Sequence, residues 1–66
     1  MKLISPDGSI KEIKIEDKDM PIENLLKELG INPVEVIIAK NGKIVPEDET
    51  VTNEDVIKII RVIHGG

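Results

Sequence analysis

The sequence predicts an α+β fold in which a single helix covers one face of a mixed, four- or five-stranded sheet. Three observations predict it. Apolar residues recur with helical spacing in only one segment. The remaining apolar runs are short and rich in isoleucine and valine, which suit strands. Turn chemistry punctuates those runs at regular intervals.

The first run, Met1-Lys2-Leu3-Ile4, is followed by Ser5-Pro6-Asp7-Gly8-Ser9. Proline presets φ and glycine accepts positive φ, so this stretch reads as a turn. The second run spans Ile10 to Ile15 and alternates over its latter half, which puts Ile13 and Ile15 on one face. The two runs form an amino-terminal hairpin. After the charged stretch Glu16-Asp17-Lys18-Asp19, the segment from Met20 to Gly30 carries Ile22, Leu25, Leu26 and Leu29 at i, i+3, i+4 and i+7. This is one apolar stripe on a helix. Pro21 suits its first turn, Asp19 and Glu23 suit the positive end of its dipole, and Gly30 is the expected C′ residue.

Beyond Asn32-Pro33, the run Val34 to Lys40 is nearly all apolar and reads as a strand covered on at least one face. Asn41-Gly42 signals a type I′ hairpin turn, and Lys43-Ile44-Val45 returns as a short strand stopped by Pro46. An acidic loop, Glu47 to Asp55, precedes a last strand from Val56 to Ile63. The helix has to bury its stripe, and the sheet offers the available surface. A hairpin, a crossing helix and further strands on one sheet describe the β-grasp arrangement, with residues 1–63 as the domain and 64–66 as a mobile tail. Other ββαββ arrangements of the same elements stay open.

Composition narrows the function. A chain of 66 residues is one small domain that buries only about 60% of its unfolded surface. It has no cysteine, which removes disulfide scaffolds, thiolate metal sites and cysteine nucleophiles together. The net charge of −4 and the absence of Phe, Tyr and Trp argue against nucleic-acid binding, which uses basic clusters and stacking platforms. Neither a leader nor an apolar run of about 18 residues is evident, so a cytoplasmic location is expected. The acidic stretches Glu16-Asp17-Asp19 and Glu47-Asp48-Glu49 lack the spacing of a calcium loop and read as solvated surface. They also offer a charge for steering toward a basic partner. His64 has no companion for a triad or a metal site and reads as a spacer. No constellation of residues suggests an enzyme or a bound metal.

The functional signal lies at the end of the chain. In the last strand, Ile57 and Ile59 fall on one face and Lys58, Ile60 and Val62 on the other. If the first face packs on the helix, the second presents a small apolar docking patch. His64-Gly65-Gly66 follows, with little to bury. Without Cβ atoms, two glycines thread a channel too narrow for other residues and leave the last carbonyl open to attack. The tail would deliver that carbon into another protein's active site.

NGKIVPED, the Asp55 that precedes the last strand, the LLKELG helix, Val45-Pro46 and the terminal VIHGG occur together and in order. In this combination the chain resembles the ThiS/MoaD family of ubiquitin-like sulfur carriers, and especially its archaeal small modifiers and thiamin-type carriers. The resemblance covers essentially the whole chain, and Gly-Gly is its specific motif. One departure is that the family usually carries Gly-Asp before the last strand, whereas this chain has Glu54-Asp55, which implies a different turn.

The resemblance implies chemistry at Gly66. An activating enzyme of the ubiquitin-activating type would adenylate its carboxylate with ATP and magnesium. A cysteine-desulfurase or rhodanese-type donor would then supply the sulfur of a thiocarboxylate. A biosynthetic enzyme, in thiamin or molybdopterin synthesis or in tRNA thiolation, would receive that sulfur. In archaeal relatives the same activated tail forms an isopeptide bond to a target lysine instead. The domain would bind no cofactor and would be a carrier, not a catalyst. A non-covalent β-grasp interaction module is the remaining alternative, and it would tolerate loss of Gly65-Gly66.

Overall fold

The computed structural model describes residues 1–16 and 19–62. Its strands are β1 (Lys2–Ile4), β2 (Ile10–Glu12), β3 (Met20–Pro21), β4 (Val36–Lys40), β5 (Lys43–Val45), β6 (Thr50–Val51) and β7 (Val56–Arg61), with one helix, α1 (Ile22–Glu28), after β3. The main sheet has five strands in the order β2-β1-β7-β4-β5, and β3 pairs with β6 in a separate two-stranded ribbon. β1 and β7 run parallel, and the other pairings are antiparallel. The last strand thus slots between the two hairpins, and α1 packs across one face. This is the β-grasp arrangement.

The core lies between that face and the helix. Leu3, Ile38, Ile57 and Ile59 of the sheet pack with Ile22, Leu25 and Leu26 of α1, joined by Met1, Ile15, Met20 and Val51. Ile22, Leu26, Val51 and Ile57 are completely excluded from solvent. Fully burying one such side chain contributes about 1.5–3 kcal/mol. In a domain this small, each of them is a large share of the total stability.

Several element boundaries differ from the sequence reading. The second strand stops at Glu12. The Ile13 N–H still reaches the Met1 carbonyl at 2.8 Å, but Ile15 leaves the sheet and turns into the core. The helix begins at Ile22 instead of Met20, because Met20 and Pro21 are taken up pairing with Val51 and Thr50. Pro21 is its N-cap and contributes no capping side chain. The carbonyls of Glu49 and Glu47 accept from the first two helical N–H groups, Ile22 and Glu23, at 2.8 and 2.9 Å. The acidic loop therefore does the work of a cap. Asp19 lies ahead of β3 instead of at the helix end.

At the other end Gly30 stands at φ +74°, the C′ position expected for it. The Gly30 N–H donates to Lys27 and the Ile31 N–H to Leu26, at 3.1 and 2.8 Å, which closes a Schellman motif. Pro33–Glu35 form a 3-10 turn capped by the Asn32 side chain, so the strand expected from Val34 starts at Val36. The turn before β7 runs Thr52 to Asp55, closed by the Asp55 N–H on the Thr52 carbonyl at 3.1 Å. Among the described non-glycine residues only Asn41 has positive φ, so Glu54 occupies this turn without strain and a glycine is not needed there.

Candidate functional site

The carboxyl-terminal residues singled out in the sequence, Gly66, Gly65 and His64, lie outside the described residues. What the structure shows is the surface that leads to them. Alternation along β7 sends Ile57 and Ile59 into the core and leaves Lys58 and Ile60 exposed on the opposite face. Val62, immediately after the strand, is half-buried, and its N–H donates to the Glu35 carbonyl at 2.8 Å. That bond extends the β4–β7 ladder by one step.

The pairing registers place further residues beside these. Directly opposed residues share a face of a sheet. Ile10 faces Ile4, Ile4 faces Lys58, Lys58 faces Ala39 and Ala39 faces Ile44, so one row crosses all five strands on the open face. Lys58 is at its centre with apolar neighbours on both sides. The next row toward the end of β7 pairs Ile60 with Ile37. Ile10, Ile44, Ile37, Ile60 and Val56 are all exposed, the first two at 58% and 68%. Isolated exposed isoleucines are ordinary, whereas these lie together on one continuous sheet face.

Ile4, Ile10, Ile37, Ala39, Ile44 and Val56 were missed in the sequence. For Ile44 the signal was present: a two-residue Asn41-Gly42 turn sets Lys40 against Lys43 and hence Ala39 against Ile44. For Ile4 and Ile10 it was not, because their place depends on the parallel pairing of β1 with β7.

A groove borders this face, between the Ser5–Gly8 turn and the Lys58–Arg61 stretch of β7. Its lining combines the apolar Ile4, Pro6, Ile59 and Ile60 with the charged Asp7, Lys58 and Arg61. The Ser9 N–H and hydroxyl donate to the Asp7 carboxylate at 2.9 and 2.7 Å. These bonds, the backbone one first, hold the Asp7 carboxyl below its ordinary pKa. Past Lys58, β7 runs beyond the end of β1. The Asp55 carbonyl accepts from Lys2 of β1, whereas the Val56 carbonyl and Val62 N–H bond on the β4 side. By that alternation Ile59 and Arg61 face β1; the Ile4–Lys58 register gives the Ile59 N–H the Ile4 carbonyl, and beyond it comes Pro6, which has no N–H to offer the Ile59 carbonyl.

A second cluster anchors the start of β7. Asp55 accepts from the Asn41 side-chain amide at 2.9 Å and from the Thr52 N–H at 2.8 Å, with the Lys40 ammonium 3.8 Å away. Partial burial pushes the Asp55 carboxyl up, but the hydrogen bonds and the lysine outweigh it, and its pKa lies below the ordinary value. Among the described residues no group of His, Asp and Glu is arranged to hold a metal ion. Every buried side-chain nitrogen and oxygen there has a partner. Nor is any described helix long and apolar enough to cross a membrane.

The sequence pattern of the family described as small archaeal modifier protein 2 matches residues 5–63. The chain is 38% identical over 56 residues to an uncharacterised protein of Archaeoglobus fulgidus, covering 85% of this chain and 82% of that one. It is 34% identical over 55 residues to small archaeal modifier protein 2 of Haloferax volcanii, covering 83% and 80% of the two chains. It is 29% identical over 56 residues to the sulfur carrier protein TtuB of Thermus thermophilus, covering 85% of each. Among solved structures, the thiamine biosynthesis protein ThiS of Geobacter metallireducens superposes over 100% of both chains with a TM-score of 0.67 at 20% identity, a likeness of fold. With the β-grasp topology and the matched span together, the chain belongs to the small archaeal modifier protein 2 family, among the ubiquitin-like carriers and modifiers of the ThiS/MoaD type.

Proposed function

We propose that this protein is a sulfur carrier that works through the carboxylate of Gly66, in the cytoplasm, as a substrate of other enzymes and not as a catalyst. The observation that carries the reading is the apolar outer face of β7 and its neighbours, which leads directly into His64-Gly65-Gly66 in a chain of this family. An activating enzyme of the ubiquitin-activating type docks on Lys58, Ile60 and Ile37 and draws the tail into its site. There a Gly66 carboxylate oxygen attacks the α-phosphorus of ATP and pyrophosphate leaves, with magnesium held by the enzyme. The terminal sulfur of a persulfide on a cysteine-desulfurase or rhodanese-type donor then displaces AMP from the acyl carbon. A thiol of a partner enzyme reduces the resulting acyl disulfide, forming a disulfide with the donor cysteine and freeing the acyl sulfur. The product is a thiocarboxylate whose sulfur passes to a biosynthetic enzyme or to tRNA thiolation. The two glycines suit this route because they add no side chain to the channel.

Intact-mass analysis of protein taken from its native host under sulfur-demanding growth tests the proposal. A species heavier by the exchange of one oxygen for sulfur, lost on alkylation and hydrolysis, is the expected result. Its consistent absence, or full function after removal of Gly65-Gly66, would overturn it. The archaeal modifier relative supports a second reading, in which the same activated Gly66 is transferred to lysines of target proteins. Proteolysed host lysate would then contain lysines bearing the tail of this chain.

A further inference from the structure

Asn41-Gly42 does more than reverse the chain between β4 and β5. Its φ angles, +52° and +86°, are those a two-residue turn of type I′ needs. The Asn41 side chain reaches past the turn to the start of β7. Its Nδ2 donates to Asp55 Oδ1 at 2.9 Å, and its Oδ1 accepts from the Val56 N–H at 2.9 Å. The Asn41 N–H also donates to the Val56 carbonyl at 2.8 Å. Asp55 is itself fixed by Thr52 and Lys40.

An asparagine followed by glycine is also the pair in which a backbone nitrogen most easily attacks the side-chain amide, since glycine puts no Cβ in the way. Asn41 is exposed, so water reaches it. We propose that Asn41 is a site of spontaneous deamidation, which its contacts with Asp55 and Val56 keep closed in the folded chain. In the reaction the Gly42 nitrogen gives its proton to hydroxide and bonds to Cγ of Asn41. The Cγ–Nδ2 bond breaks, and the nitrogen leaves as ammonia after taking a proton from water. The succinimide ring that results is opened by one water at either carbonyl, giving aspartate or isoaspartate. Nothing is oxidised or reduced, and overall one water enters and one ammonia departs.

Loss of Nδ2 removes its bond to Asp55, and the bond from the Val56 N–H to Oδ1 holds the amide against β7 until it is released. The products fit the site poorly. An aspartate there sets an acceptor oxygen where Nδ2 donated, against the like charge of Asp55. Isoaspartate further lengthens the backbone inside a two-residue turn whose geometry fixes the β4–β5 register. Deamidation therefore detaches this turn from β7.

The test follows Asn41 by peptide mapping in mildly alkaline buffer, with folding checked by circular dichroism. Wild type, Asp55→Ala, Asp55→Asn and Ile22→Val are compared with a synthetic peptide spanning residues 38–45. Folded wild type is expected to react about tenfold or more slowly than the peptide, because reaction waits on local opening. Asp55→Ala should react several-fold faster than wild type. Asp55→Asn, which keeps an acceptor oxygen but not the charge, should fall between them, and it decides the matter if Asp55→Ala does not fold. Ile22→Val loosens the core without touching Asn41 and should leave the rate near that of wild type. Equal rates for folded wild type and peptide would overturn the proposal. So would an acceleration by Ile22→Val as large as that produced by either Asp55 substitution.

Discussion

Ile15 and Asn53, 38 residues apart, exchange two hydrogen bonds: the Ile15 N–H donates to Asn53 Oδ1, and Asn53 Nδ2 donates to the Ile15 carbonyl at 2.8 Å. A side-chain amide presents a carbonyl acceptor and an N–H donor side by side, so it can answer the N–H and the carbonyl of one residue together. Asn53 thus supplies Ile15 with the pairing a neighbouring strand would have given, at the point where the chain leaves β2 and enters the core. This explains how Ile15 is buried with its backbone satisfied outside any strand.

Replacing Asn53 with alanine strands both backbone groups of Ile15 in a partly buried setting, and it should cost about 1–3 kcal/mol. Asn53→Asp keeps the acceptor and loses the donor, and should fall between wild type and Asn53→Ala. Urea denaturation reads this as a lower midpoint at unchanged slope. An unchanged midpoint in Asn53→Ala would show that water replaces the side chain at no cost.

Gly30 offers a cleaner backbone experiment. A Cβ built there meets nothing within 4 Å, so Gly30→Ala tests only the cost of φ +74°. That cost is about 1 kcal/mol, or roughly 4–8 °C in the melting temperature of a domain this size. Gly30→Asn should lose less, since asparagine tolerates the left-handed region better. Thermal melts of the two variants should rank in that order.

The helix stripe, the Asn41-Gly42 turn and the buried face of β7 could be read from the sequence because each rests on local periodicity or on one residue's φ preference. Ile22, Leu25 and Leu26 are buried at the positions their spacing assigned. The β3–β6 ribbon could not be read. Each of its strands is two residues long, too short for alternation to show, and Val51 appears as a single apolar residue in a polar loop. The cap made by the Glu47 and Glu49 carbonyls was hidden for a related reason, since backbone groups leave no mark in composition. Lys58 and Ile60 were placed on the outer face by counting along one strand. The rest of that face emerges only once β1 is known to pair in parallel with β7.

Ile59 and Ile60 are adjacent in sequence and opposite in burial, at 1% and 39% exposure. Aspartate at Ile59 buries a charge without a partner and should unfold the domain. The same change at Ile60, or at Ile37 opposite it, should shift stability by only about 0.5 kcal/mol. If the outer face docks the activating enzyme, Ile60→Asp and Ile37→Asp should remain folded by circular dichroism and yield far less thiocarboxylate or conjugate in the native host. Wild-type yields from both folded variants would remove the outer face from the proposed docking site.

Asp55 gives the fold an acid-sensitive joint. Its pKa is lowered in the folded chain: burial opposes ionisation, but Asn41, Thr52 and Lys40 together favour the carboxylate more strongly. A group with a lowered folded pKa contributes stability that is fully present above its unfolded pKa and is lost as pH falls through the folded value. The contribution of Asp55 is therefore present at neutral pH and declines below about pH 4, where protonation weakens its bonds to Asn41 and Thr52 and its attraction to Lys40. Asp55→Asn removes the titration while keeping the side chain's shape. The stability difference between wild type and Asp55→Asn, measured by urea denaturation across a pH series, should be largest near neutrality and shrink toward zero in acid. A difference that stays constant with pH would mean that the charge on Asp55 does not help hold β7 to the Asn41 turn.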